Sequence, residues 1–192
     1  MNHKEIVQQI ANLDWSKATP SDIILLSHCT AKEFASSLRL GLKLYPNDEH
    51  LKEMANGELQ TDNMSFDDYV KTGDHWEFLN HFISKHHITP TKTSISDSMI
   101  GYVNEIEKLS DSERAMTVFS REEELTLIFN KIIPAHDWVA IGFGFYKYYL
   151  EQHILFDSGD HGHAWLTKHF PMHEPTLTNF YNIRLKLYQS LF

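Results

Sequence analysis

Residues 149–163 read Tyr-Leu-Glu-Gln-His-Ile-Leu-Phe-Asp-Ser-Gly-Asp-His-Gly-His. On a helix, residues four apart project from one face with Cβ atoms roughly 5–6 Å apart, so His153, Asp157 and His161 form a ladder. Imidazole nitrogen and carboxylate oxygen together suit iron, manganese or zinc. Open positions on such a site are what oxygen chemistry at non-haem iron requires. Asp160, three residues after Asp157, is a rival ligand. The 13 histidines of the chain place some pairs at helical spacing by chance, so His86, His87, His169 and His173 are read as ordinary surface or core residues. The ladder differs because it mixes His with Asp beside Ile154, Phe156 and Trp165, where an unpaired carboxylate is costly to bury.

One helix presents only part of a coordination sphere, so further ligands must come from its neighbours. In Asp74-His75-Trp76-Glu77-Phe78-Leu79-Asn80-His81, Glu77 and His81 share a face at four-residue spacing among aromatic residues. In Phe119-Ser120-Arg121-Glu122-Glu123-Glu124, Glu122 is the acid expected to turn inward, although a run of acids is commonly a solvated face. Multi-cysteine zinc and iron–sulfur sites are excluded, because Cys29 is the only thiol.

The elements that must position these groups read as helices. Apolar residues recur at three- and four-residue spacing, and no stretch alternates strictly enough to propose a strand. Thr30 with Glu33 reads as a capping box before Phe34, Leu38 and Leu42, in a helix ended by Tyr45-Pro46. A short helix runs from near Asp48 to Gly57. Ser65 with Asp68 opens another, through Trp76 and Phe82 to about His87. Residues 88–98, rich in Ser, Thr and Pro, read as an exposed loop. Ser110 with Glu113 opens a helix towards Ile133, stopped by Pro134. Helical pattern resumes from about Asp137 to Phe170, and Pro171 and Pro175 introduce a last helix, Leu177 to Phe192. About seven helices result, and with no internal repeat a compact bundle is expected.

The chain has 192 residues, 42% hydrophobic and 22% charged, the profile of one globular domain spanning 1–192. A formal charge of -9 repels phosphate backbones and anionic headgroups, so neither nucleic acid nor membrane is an expected partner. No apolar run approaches the ~20 residues of a membrane span, and Met1 to Leu13 lacks the apolar core of a signal peptide, so a cytoplasmic location is expected. An acidic, aromatic-rich bundle is compatible with a homodimer.

His153-Ile-Leu-Phe-Asp157-Ser-Gly-Asp-His161-Gly162, preceded by Tyr148-Tyr149-Leu150-Glu151, resembles the metal-binding helix of haem-oxygenase-like proteins that lack haem, the iron-containing redox enzymes of that superfamily. His50 to Leu59 and Phe66-Asp-Asp-Tyr69 are similar to the opening helices of the thiaminase II and pyrroloquinoline-quinone synthase branches. Phe119-Ser-Arg-Glu122 is similar to the segment where di-iron members place a glutamate ligand. The similarity spans roughly residues 30–192, and only the His153 stretch is specific. It implies a seven-helix bundle around a pocket holding one or two iron ions, with Glu77, His81, Glu122, His153, Asp157 and His161 as ligands. The spacing departs from the family at two points, which leaves Asp160 as an alternative to His161 and Asp74 as an alternative to Glu77. Thiaminase II chemistry needs a cysteine in a later helix, and Cys29 is not there. The ladder also suits a single axial haem ligand poorly.

The expected function is therefore a non-haem iron-dependent oxidase or oxygenase that brings dioxygen to a small organic substrate, with manganese or zinc as alternative metals. One rival is a metal-free enzyme of the same fold acting on a heterocycle by general acid–base chemistry. The other is a helical binding or regulatory protein whose ladder is only a polar network.

Overall fold

The computed structural model describes residues 1–157 and 173–192, apart from the side chains of Glu122, Glu123 and Asp157. The described residues form eight α-helices and two single 3-10 turns. Their β-type pairing is limited to the isolated bridges Thr61–Gly73 and Phe66–Tyr69. The all-α class stands as expected, with more helices than the seven or so read from the sequence.

The spine of the molecule is α2 (Pro20–Leu44) packed along α6 (Asp111–Ile132). Pro at the first position of α2 starts it with the φ that a helix needs, ten residues before the expected start. Thr30 and Glu33 therefore lie inside a 25-residue helix and make no capping box. Thr30 Oγ1 donates to the Ser27 carbonyl (3.0 Å), and Glu33 turns into the core. There the Glu33 carboxylate accepts from Arg121 Nη1 (2.7 Å) and Nη2 (3.2 Å), from Tyr102 (2.9 Å) and from Ser37 (2.6 Å). The Thr-x-x-Glu spacing thus reflects a buried ion pair between α2 and α6, not a helix start.

The flanking helices close around this spine. α1 (His3–Ala11) packs on α8 (Glu174–Gln189) through Ile6, Val7 and Ile10, and α4 (His75–Lys85) packs on α2. α7 (Gly144–Asp157) lies against α6, with Phe145 stacked on Phe82 of α4 at 4.7 Å between centroids. Burying an aromatic or aliphatic side chain of this kind contributes roughly 1.5–3 kcal/mol, so the many apolar residues here form one main core. A satellite cluster of Phe34, Leu38, Leu51, Met54, Val118 and Phe119 seats α3 (Glu49–Glu58).

Other expected boundaries move as well: α7 begins at Gly144 and not near Asp137, and α8 runs Glu174–Gln189 and not Leu177 to Phe192. Part of the Ser/Thr-rich stretch expected as a loop is α5 (Thr93–Glu107), because Ile95, Tyr102 and Ile106 bury one face and tertiary burial outweighs weak local propensity. The helix expected to open at Ser65 begins at His75, where Asp74 and Glu77 form the capping box. The intervening residues 59–74 form a loop whose ends are pinned by Thr61 N–H to Gly73 O (3.0 Å) and Gly73 N–H to Thr61 O (2.9 Å). Asp74 reinforces that closure. Its buried carboxylate accepts from Gln60 N (3.2 Å), Gln60 Nε2 (3.0 Å), Arg39 Nη2 (2.5 Å) and Trp76 Nε1 (2.9 Å). Burial pushes the Asp74 pKa up, but these donors outweigh it and hold the group below its ordinary value.

Candidate metal centre

The closed loop brings the last residue of α3, Glu58, against the first residue of α4, His75. α7 supplies His153 from across the core. The Glu58 Oε2 to His75 Nδ1 distance is 2.8 Å, and His75 Nδ1 to His153 Nε2 is 3.1 Å. One ligand atom from each of these buried residues lies within 4.8 Å of the others. Among the described residues this is the one group of three or more His, Cys, Asp or Glu with that proximity.

The hydrogen bonds around the two imidazoles fix where their protons sit. Asn63 Nδ2 donates to the Gly57 carbonyl (2.9 Å), which turns Asn63 Oδ1 towards His75 Nε2 at 2.8 Å. His75 Nε2 must therefore carry a proton and donate it. His153 Nδ1 faces the Tyr149 carbonyl at 2.8 Å, so that nitrogen is likewise the protonated one. With both rings neutral, His75 Nδ1, His153 Nε2 and Glu58 Oε2 converge as three lone pairs with no hydrogen between them. A buried arrangement of that kind is repulsive unless a proton or a metal cation occupies the gap. Donor atoms ~2.1 Å from a metal and adjacent on an octahedron lie ~3.0 Å apart, close to the two contacts seen here. Asn63 and the Tyr149 carbonyl stand where partners that orient metal-bound imidazoles are found.

Aromatic rings enclose His153: Tyr149 at 4.2 Å, Phe129 at 5.9 Å and Phe156 at 6.3 Å between centroids. The group borders a cavity of about 40 Å³, which Phe129, Tyr149, Arg121 and Arg184 also line. A buried water needs ~10–15 Å³ on that measure, so the space suits very small molecules.

Of the six ligands expected from the sequence, this group contains His153. Glu77 Oε2 instead accepts from Asp74 N (2.8 Å) at the start of α4, and His81 Nε2 pairs with Asp68 (3.0 Å) at the surface. Asp74, the alternative to Glu77, clamps the 59–74 loop. Glu122 lies in α6 and Asp157 ends α7, but their side chains fall outside the described residues, as do Asp160 and His161 entirely. Glu58 and His75 are not among the ligands that the sequence predicts. The available signal was Asp74-x-x-Glu77: read as a capping box, it assigns both acids to the helix start and leaves His75 free for chemistry. Nothing local marks Glu58, whose role depends on loop closure.

No family model, no curated protein and no solved structure matches this chain. No helix among the described residues is long and apolar enough to cross a membrane.

Burial, reinforced by the neighbouring His75, lowers the His153 pKa from 6.5 to about 4. In the metal-free protein His153 stays neutral while the unfolded chain takes up a proton below about pH 6.5. The stability held above that pH is then lost as pH falls towards 4, by on the order of 3 kcal/mol. Burial also lowers His28 to about 4, in the same direction. Chemical denaturation of metal-free protein at pH 7 and pH 4.5 should show this loss, and a flat profile would contradict it.

Proposed function

We propose that the chain is a mononuclear non-haem iron enzyme, an oxidase or oxygenase that brings dioxygen to a small organic substrate. The observation that supports it is the convergence of two imidazole lone pairs and one carboxylate oxygen in a buried pocket, with the opposite nitrogens of both rings already committed as donors. Two histidines and one carboxylate, leaving other positions open, are the donor set of non-haem Fe(II) oxygenases. Glu58, His75 and His153 would hold the metal, and Glu58 would balance part of its charge. A bound Fe(II) supplies the one-electron chemistry that dioxygen requires. The protein's part is to fix the two tautomers through Asn63 and the Tyr149 carbonyl, and to keep bulk water from the pocket with Phe129, Tyr149 and Phe156. The same donor set accepts manganese or zinc, so availability and geometry decide which ion is resident.

The test is elemental analysis of full-length protein expressed with iron and purified without a metal-affinity step, followed by oxygen-uptake measurements with candidate substrates. About one iron per chain, with uptake that disappears on chelation, is the expected result. Protein that takes up no metal overturns the reading. It then leaves the Glu58–His75 pair as a proton-transfer group, the alternative in which the chain works without metal.

A further inference from the structure

Two arginines line the cavity beside Glu58, His75 and His153, and they are matched differently. Arg121, 1% exposed, has Glu33 as a two-point partner and Thr117 Oγ1 at 2.7 Å as a third. Arg184 of α8, 2% exposed, has no carboxylate partner among the described residues. Its Nη2 donates to the Tyr188 hydroxyl (3.1 Å), and its guanidinium carbon lies 5.6 Å from the Phe180 ring centroid. The Nε–H groups of both arginines are buried and meet no acceptor, so the difference between the two lies in the carboxylate that Arg121 has and Arg184 lacks among the described residues. A phenol and a ring face compensate a desolvated guanidinium only in part, since cation–π contacts are worth ~0.5–2 kcal/mol against several for taking an ion out of water. The cavity lining therefore carries one positive charge with no carboxylate partner among the described residues.

We propose that Arg184 is the anchor for a small organic carboxylate, the substrate class of the metal centre assigned above; the assignment of the carboxylate as substrate rests on that reading. A planar carboxylate matches the guanidinium fork and brings the single negative charge that neutralises it. Phe34, Phe129 and Tyr149, which also line the cavity, suit a hydrocarbon chain better than a fully hydrated inorganic anion. The small volume restricts that chain to a few carbons.

The test compares propionate with propionamide, its neutral isostere, by calorimetry on the full chain with iron removed. Propionate should bind at least ~10-fold tighter, as expected when a buried charge gains or lacks its partner. Arg184→Met should abolish that preference, and Arg184→Lys should restore part of it. Equal binding of the two ligands by the unmodified protein overturns the proposal without need of any variant. A preference that survives in Arg184→Met, or chloride competing as well as propionate, overturns it too. Iron content of each protein as purified, before the iron is removed for calorimetry, separates the two conclusions. Iron bound without a carboxylate preference defeats the anchor alone, whereas an Arg184-dependent preference in protein that never takes up iron sustains the anchor and defeats the iron reading.

Discussion

Replacing His75 by alanine removes metal binding, with an expected fall in affinity of more than ~100-fold while the far-UV helical signal persists. His75 Nδ1 is the atom common to both short contacts of the group, 2.8 Å from Glu58 and 3.1 Å from His153, so its loss leaves the other two without the member that joins them. Partners that merely orient a ligand typically change metal affinity by ~10–100-fold, which sets the lower bound for a ligand itself. Asn63→Ala supplies the graded comparison. It removes the acceptor that fixes the proton on His75 Nε2 and should weaken binding by ~10–100-fold. Metal titration of the three proteins at one pH decides the matter. Asp157→Ala belongs in the same series, because the helical ladder read from the sequence makes Asp157 a ligand. Loss of metal in Asp157→Ala with binding intact in His75→Ala would move the centre along α7 and away from Glu58 and His75.

The second large effect concerns stability. Arg121→Met should destabilise the fold by about 3–5 kcal/mol, the range found when one partner of a buried ion pair is removed and the other is left charged. Glu33 shows why. Burial alone drives its pKa up, and the Arg121 charge and hydrogen bonds, with those of Ser37 and Tyr102, hold it below the ordinary value. Without Arg121 the carboxylate must take up a proton or remain buried and unpaired. Arg184→Met deprives no carboxylate among the described residues of its partner, so its denaturation midpoint should stay close to that of the unmodified protein. Equal destabilisation by the two substitutions would contradict the distinction drawn between a matched and an unmatched arginine.

Local signals in the sequence located those elements whose ends are governed by local chemistry. Ser110 with Glu113 does form a capping box at the start of α6, Asp48 caps α3, and Tyr45 ends α2 before Pro46. They misled where the same residue types serve tertiary contacts. Thr30 and Glu33 have the spacing of a cap but sit mid-helix, because Glu33 answers an arginine 88 positions later in the chain. Asp68, read with Ser65 as a helix start, instead pairs with Lys85 Nζ at 2.9 Å. The site divides along the same line. His153 was legible because helical periodicity placed it among aromatic neighbours, whereas Glu58 becomes a site residue only when the 59–74 loop closes, which no periodicity reports.

That closure also bears on the order in which the centre can assemble. Glu58 and His75 are 17 positions apart and are joined through a loop that carries its own backbone bridge and the Asp74 clamp, whereas His153 arrives from 78 positions further along. Contacts between near neighbours form early and distant ones late, because chain entropy must be overcome before distant groups meet. Two ligands are thus available in a partly folded chain, and the third is delivered only when α7 docks. A metal held by all three would act as a latch on that docking step. It would leave the folding rate nearly unchanged and slow unfolding, so the resident ion would set the lifetime of the native state more than the speed of reaching it.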